Sequence, residues 1–178
     1  MVPAVMAEAE KSKNRGGTMR SEAEADRALE RYADTVRRIC MVHLKNHADT
    51  EDVFQNVFMK YILRSDVFEN DEHEKAWLIR VTLNACKDHL KSLFRHRTVS
   101  LDEVIPPSVE MTQEHSEVLK AVLALPAKYK DPVYLFYFEG YSAVRIAEIL
   151  GKNVNTIYTL LSRAKAMLQD ALGGDDNG

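Results

Sequence analysis

Apolar residues recur every three or four positions along most of the chain, which is the spacing of one buried face of an α-helix. In the first half this pattern predicts helices over about residues 22–46, 51–63 and 75–97. In the second half helical spacing runs from residue 113 to Leu125, is interrupted at Pro126 and resumes up to Gly140. Strand-like alternation of useful length is absent, so we expect an all-α fold.

One segment without helical spacing divides the helices into two groups. Residues 98–112 contain Pro106 and Pro107 and predict a flexible linker between two small helical domains, at 21–97 and 113–172. Residues 1–20 are polar and poor in aromatic residues, so we expect a disordered N-terminal extension with Met19 as the candidate natural start. Residues 173–178 are expected to form a disordered tail.

The most informative stretch is 140–172, which predicts two short helices joined by a tight turn. Ser142 is a candidate N-cap for the first helix, Gly151 is expected to end it, and Asn153 can cap the second. This order is typical of a helix-turn-helix, whose second helix enters the DNA major groove. A plain helical hairpin with a polar outer face is the alternative. The residues that we predict for DNA contact on the second helix are Lys152, Asn153, Asn155, Thr156, Tyr158, Thr159, Ser162, Arg163 and Lys165.

The net charge of −3 conceals an uneven distribution of charge. Acids dominate residues 49–74, and bases dominate residues 75–97. A protein that holds DNA alone usually has a strongly basic surface. The distribution therefore indicates one segment suited to a protein partner and a neighbouring segment suited to polyphosphate.

Motifs for metal binding or catalysis are weak or missing. Cys40 and Cys86 are isolated and predict buried, reduced thiols, while His43 and His47 lack a nearby carboxylate or cysteine at ligand spacing. HExxH and nucleophile motifs are absent, so we expect no metal, no cofactor and no enzymatic activity. The sequence contains neither an apolar run of bilayer length nor a secretory leader pattern, and this predicts a cytoplasmic protein.

Three segments carry a family resemblance. They are Thr50–Phe58 (TEDVFQNVF), Ala76–Leu90 (AWLIRVTLNACKDHL) and the run from Leu125-Pro126 through Gly140-Tyr141-Ser142, Gly151 and Arg163-Ala164-Lys165. In order and spacing the chain resembles a two-domain sigma factor of bacterial RNA polymerase, of the extracytoplasmic-function (ECF) type. The resemblance covers about residues 27–170.

The resemblance implies a transcription initiation factor without cofactors, whose partners are the clamp helices and flap of core RNA polymerase, promoter DNA and in some cases an anti-sigma factor. Its first domain corresponds to region two and its second to region four. Core polymerase is expected to contact Asp49, Glu51, Asp52, Gln55 and Asn56. The melted minus-ten element is expected to contact Phe68, Asn70, Asp71, Lys75, Trp77, Arg80, Asn84, Lys87 and Lys91. The helix-turn-helix is expected to read the minus-thirty-five element.

The chain departs from the family pattern at several positions. Tyr158 and Leu160 stand where many members have basic residues, and Asn56 replaces an acid. Arg145 occupies the position of a capping-box glutamate, so that helix start depends on Ser142 alone.

The alternative functions are a stand-alone helix-turn-helix regulator, a metal-dependent helical enzyme and a helical adaptor.

Overall fold

The computed structural model describes residues 19–97 and 116–173, and every regular element in these two ranges is helical. The helices are α1 (Glu22–Leu44), α2 (His47–Leu63), α3 (Asp71–Arg97), α4 (Ser116–Ala124), α5 (Ala127–Val133), α6 (Ala143–Leu150) and α7 (Val154–Leu172), with a π-helical turn at Tyr134–Phe138. The all-α prediction is confirmed. The chain forms two compact units, divided after Ser108. The predicted linker at 98–112 lies outside the described residues.

The first unit is a bundle in which α1, α2 and α3 all pack against one another. Its core contains Val36 from α1, Phe54 and Phe58 from α2, and Leu78 from α3, all less than 3% exposed. Burying one such side chain contributes about 1.5–3 kcal/mol before the entropy of ordering the chain is subtracted. The apolar stripe predicted on α2 is therefore the central element of this core.

Helix α1 ends at Leu44, two residues earlier than predicted, and α2 begins at His47, four residues earlier than predicted. Helix α1 ends at Leu44 because Lys45 adopts the left-handed conformation (φ 61°). Asn46, and not Asp49 or Thr50, is the N-cap of α2, since its side-chain oxygen accepts a hydrogen bond from the Asp49 backbone N–H at 2.8 Å. The prediction was wrong because Asp49 and Thr50, which are also good N-cap residues, follow Asn46 closely. The left-handed Lys45 ends α1 directly before Asn46 and so makes Asn46 the cap.

The start of α3 also differs from the prediction. Residues 66–74 are rich in acids and lack helical spacing, which predicts an exposed loop, but α3 begins at Asp71 and Glu74 is buried. Asn70 accepts a hydrogen bond from the His73 N–H at 2.8 Å, and acids in a first turn interact favourably with the helix dipole. Helix α3 has 27 residues and is longer than α1 and α2. The apolar spacing of this segment predicts that Phe94 faces the core, but Phe94 is 73% exposed.

Residues 19 and 20, predicted to belong to a disordered N-terminal extension, are ordered against the first unit. Met19 packs against the first core, and the Arg20 backbone N–H donates to the Ile62 carbonyl at 2.9 Å. Ser21 and Glu24 then form a reciprocal capping box at the start of α1. Residues 19 and 20 therefore belong to the first unit, while residues 1–18 lie outside the described part of the chain.

The second unit packs α4, α5 and α6 around α7. Ala164 of α7 is fully buried among Val122, Leu125, Tyr129 and Val133. All three caps of the predicted helix-turn-helix are confirmed. Ser142 caps α6, Gly151 ends it in the left-handed conformation (φ 62°), and the side chain of Asn153 caps α7.

We predict that Lys45→Gly will stabilise the first unit. A lysine at φ 61° places its Cβ close to the following carbonyl, and glycine avoids that cost at a helix C-terminus. The expected gain is about 1 kcal/mol in the free energy of unfolding, measured by chemical denaturation. Lys45→Ala is the matched control, because it removes the lysine side chain and keeps the strained conformation. An equal gain from both variants would contradict the backbone explanation.

Candidate nucleic-acid interface

A polar face lies along α2, opposite its buried aromatic stripe. Asp52, Gln55 and Asn56 are exposed, at positions that share one side of the helix. Their neighbours Phe54 and Val57 point into the core and fix the orientation of this face. The three residues thus present one acid and two amides to a partner on a rigid helix.

The other two predicted polymerase-binding residues already have partners within the first unit. The Glu51 carboxylate accepts from Arg37 Nε at 3.1 Å. Asp49 lies with Oδ1 at 2.9 Å from His89 Nε2 and accepts from Asn46 Nδ2 at 2.6 Å. Both acids are partly buried, so the structure separates the five predicted residues into an exposed trio and an internally bonded pair.

An aromatic cluster connects the end of α2 to the start of α3. The ring of Phe68 stacks parallel to Tyr61, with centroids 6.1 Å apart, and contacts Trp77 at 5.6 Å in a tilted arrangement. Phe68 and Trp77 are both partly buried. Their ring faces are therefore used mainly within the protein, and Trp77 is in part a core residue, as its helical position predicted.

Two arginines that the sequence analysis did not select complete this cluster. Arg20 Cζ lies 4.7 Å from the ring centroids of both Tyr61 and Phe68. Arg64 Cζ lies 5.2 Å from Phe68 and 5.1 Å from Trp77. Guanidinium groups stack readily on aromatic faces. Arg20 was missed because it stands outside every helical pattern, and Arg64 because it follows the last residue of one.

A buried carboxylate lies beneath the cluster. Glu74 accepts a hydrogen bond from the Tyr61 hydroxyl at 2.6 Å and another from the Tyr32 hydroxyl at 3.3 Å. Burial raises the pKa of Tyr61 well above its ordinary value, and the adjacent Glu74 carboxylate raises it further. The same two causes raise the pKa of Tyr32. Sequence reasoning missed this site because Glu74 stands in an acidic run that looked solvated.

Three more residues predicted to contact the minus-ten element, Asn70, Asp71 and Lys75, lie at or just before the start of α3. Asn70 caps α3, and Asp71 forms an ion pair with Arg31 of α1. Lys75 is partly buried in the first turns of α3. Asn70 and Asp71 therefore order the start of the helix in addition to any contact with a nucleic acid.

A basic face continues along the exposed side of α3. Its members are four exposed residues spaced so that they share one side of the helix, namely Arg80, Asn84, Lys87 and Lys91. Lys91 Nζ lies 3.9 Å from Asp88, a distance at which an exposed pair contributes little. The face offers cations along a length of about 16 Å, given a rise of 1.5 Å per residue.

The outer face of α7 is polar, as predicted. Every residue predicted for DNA contact between Lys152 and Lys165 is exposed. Thr159 Oγ1 donates a hydrogen bond to the Asn155 carbonyl at 3.0 Å. Tyr158 is 55% exposed. Its ring therefore lies on the outer face of α7, at a position where many family members have a basic residue. The buried Ile157 and Ala164 anchor the opposite face, which leaves the N-terminal half of α7 free for a DNA groove.

Within residues 19–97 and 116–173 the structure contains no group of three His, Cys, Asp or Glu side chains that could hold a metal ion. None of the described helices is both long enough and apolar enough to span a membrane.

The two helical units, one of them a helix-turn-helix, are typical of a DNA-binding protein, and comparison with known proteins identifies the family. The model of Sigma-70 region 2 matches residues 28–96, and that of Sigma-70, region 4 matches residues 115–168. The ECF RNA polymerase sigma factor SigM of Mycobacterium tuberculosis is 26% identical over 150 residues, covering 83% of this chain and 76% of SigM. RNA polymerase sigma factor SigV of Bacillus subtilis is 28% identical over 142 residues, covering 78% and 85%.

Solved structures agree with the sequence relatives. The sigma factor RpoE of Bartonella quintana, in complex with the anti-sigma factor NepR, matches with a TM-score of 0.69 and 25% identity, over 84% of this chain and 97% of RpoE. CnrH, in complex with the cytosolic domain of CnrY, has the same fold, with a TM-score of 0.63 and 19% identity over 97% of each chain.

The chain belongs to the sigma-70 family and is a sigma factor of the ECF type. Its function is accordingly to bind core RNA polymerase and direct it to promoters, and this function is favoured over that of a stand-alone regulator.

We predict that Tyr61→Phe will flatten the loss of stability at alkaline pH. Because the folded state holds the Tyr61 proton more tightly than the unfolded state, this contribution is complete below about pH 10 and is lost as the pH rises further. The variant should also lose about 1–2 kcal/mol at neutral pH, since one donor to Glu74 is removed.

The measurement is the free energy of unfolding between pH 7 and pH 11. The exposed Tyr158→Phe is the matched control and should keep the wild-type pH dependence. An unchanged alkaline slope in Tyr61→Phe would contradict the assignment, although a smaller slope will persist through Tyr32.

Proposed function

We propose that the two units divide promoter recognition between them. The first, residues 21–97 together with Arg20, binds core polymerase and opens the minus-ten element, while the second, residues 113–172, reads the minus-thirty-five element. The observation that carries this proposal is that one rigid bundle presents an acid-amide face on α2 and a basic face on α3. Residues 98–112 would connect the two units.

The α2 face is the proposed docking surface for the clamp helices of polymerase. Asp52, Gln55 and Asn56 would make the direct contacts because they are exposed on one side of the helix. Asp49 and Glu51 would act at the edge of the contact, since each is already bonded to a neighbour. Charged groups at such an edge mainly affect the association rate and specificity.

The α3 face is the proposed path of the melted strand. Arg80, Lys87 and Lys91 would neutralise phosphates, and Asn84 between them would donate to or accept from a base edge. The loop before α3, with Phe68 and Asn70, would contact the strand where it leaves the duplex. Asp71, Lys75 and Trp77 would line the same end of the helix. Binding of the separated strand would offset the unstacking cost of a few kcal/mol per step.

In the second unit, α7 is the proposed recognition helix. Lys152, Asn153 and Asn155 at its N-terminal end would contact phosphates and the nearest bases. Thr156, Tyr158, Thr159, Ser162, Arg163 and Lys165 would extend the contact along the groove. With one aromatic ring among mostly neutral groups, the helix should read a minus-thirty-five sequence different from that preferred by more basic family members.

The protein itself would catalyse no reaction, because strand opening is driven by binding and polymerase performs the chemistry. We place its action in the cytoplasm, where the polymerase and promoter DNA are found. An anti-sigma factor is a further proposed partner, supported by the structure of the similar RpoE with NepR.

The test is multi-round transcription by purified core polymerase on a random-promoter library, with and without this protein. Transcripts that require the protein and share two boxes at a fixed distance are expected. A gel shift without polymerase should show weak or no specific binding. Absence of both transcription and co-elution with core polymerase would overturn the proposal.

We predict that the double substitution of Asp52 and Gln55 by alanine will abolish all transcripts. Both side chains are exposed, so their removal should leave the unfolding midpoint unchanged while the affinity for core polymerase falls at least tenfold. Lys60→Ala, an exposed change on the same helix, is the matched control and should retain both activities. Equal core affinity of the double variant and wild type would show that the docking face lies elsewhere.

We predict that Thr156→Ala and Arg163→Ala will change only the sequence preferred at the minus-thirty-five element, which is the upstream box of the promoter; the minus-ten element is the downstream box. Losing one good base contact costs about 1–3 kcal/mol, or roughly 5- to 150-fold in discrimination at one position. The measurement is the sequence preference of each variant holoenzyme on the same library. Gln169→Ala, exposed near the C-terminal end of α7, should leave both boxes unchanged. A change in the downstream box alone would contradict the assignment of α7.

A further inference from the structure

Arg20 is anchored more firmly than its place before the first helix would suggest. Its guanidinium group packs against the rings of both Tyr61 and Phe68, with Cζ 4.7 Å from each centroid. Nη2 donates to the Asp66 carbonyl at 2.6 Å, and Nη1 lies 3.4 Å from Glu24. The side chain is only 9% exposed. This arginine therefore bonds directly to the loop formed by residues 64–70, which joins α2 to α3.

Arg64, the first residue of this loop, makes further contacts within it and with α3. Its guanidinium carbon lies 5.2 Å from Phe68 and 5.1 Å from Trp77, and Nη2 pairs with the Asp66 carboxylate at 3.0 Å. Phe68 is thus contacted by two guanidinium groups and by the rings of Tyr61 and Trp77. The backbone around Asp66 and Phe68 is consequently fixed on both sides of the residue between them.

That intervening residue is Val67, which is 86% exposed. An apolar side chain so fully exposed between two anchored neighbours gains nothing from the protein core. Valine is β-branched and has few rotamers, so its methyl groups keep one direction when the backbone is fixed. Proteins that open or kink DNA commonly insert such a rigid apolar group between bases.

We propose that Arg20 is a positioning residue which fixes loop 64–70 so that Val67 inserts at the edge of the opening minus-ten element. The inference rests on the proposed function of the first unit and adds the residue that contacts the separating bases. Lysine could not replace Arg20, because it lacks the planar group that stacks on two rings while donating to a carbonyl.

The experiment measures the rate of promoter opening with the full chain in holoenzyme, on a promoter carrying the fluorescent base 2-aminopurine in its minus-ten element. The variants are Arg20→Lys, Val67→Ser and the double variant, with exposed Arg38→Ala on α1 as the control. Core affinity, binding to the minus-thirty-five element and the unfolding midpoint are measured in parallel.

Each single variant should open the promoter about tenfold more slowly, with unchanged core affinity and upstream binding. Because Arg20 acts through the placement of Val67, the double variant should be no slower than either single one. Arg38→Ala should behave as wild type. These three results together would establish the coupling.

Multiplicative slowing in the double variant would overturn the proposal, and so would wild-type opening by Val67→Ser. If Arg20→Lys lowers the unfolding midpoint, opening is compared at a temperature at which every variant is fully folded, and wild-type opening by Arg20→Lys under those conditions would also overturn the proposal. Val67→Ser tests the insertion separately, since its side chain is exposed. Failure of the wild-type holoenzyme to open any promoter would instead refute the proposed function.

Discussion

The hydrogen bonds of the buried Glu74 carboxylate join all three helices of the first unit. Glu74 belongs to α3, and its two donors are Tyr32 of α1 and Tyr61 of α2. A buried carboxylate without partners would be costly, so the three helices must meet in one register for the charge to be tolerated. The same tyrosine, Tyr61, presents its ring to Phe68 and Arg20. The register of the bundle thereby determines the position of the loop that precedes α3.

This arrangement explains how one small bundle can carry two different binding faces. Helices α2 and α3 direct their apolar residues into a shared core, which forces the acid-amide side of α2 and the basic side of α3 outward. Neither face contributes much to stability, because exposed charges interact weakly through water. Both faces are therefore available for partners, and their opposite character suits a protein surface for one and a nucleic acid for the other.

The helix-turn-helix of the second unit is specified by local interactions at its helix ends. Ser142, Gly151 and Asn153 each fix a helix end by a hydrogen bond or a left-handed backbone, so the turn between α6 and α7 is specified within a dozen residues. The core contacts of Ala164 and Ile157 then orient α7. Its polar residues project outward as a direct consequence of helical spacing.

The sequence alone determined the helical class, the helix-turn-helix with its caps, the exposed residues of α2, α3 and α7, and the family. The family follows from motifs in order along most of the chain, whereas the other features are local or periodic, each set by residues close together in the sequence. It did not indicate that Asp49 and Glu51 have internal partners, that Asn46 caps α2, or that the acidic run ends in the buried Glu74. Only the tertiary structure decided these points. Burial of an acid depends on whether tyrosine or arginine donors approach from other helices, and the chain positions of those donors carry no periodic signal. Arg20 and Arg64 are the clearest case, because their role comes from rings contributed by α2, by α3 and by the loop between them.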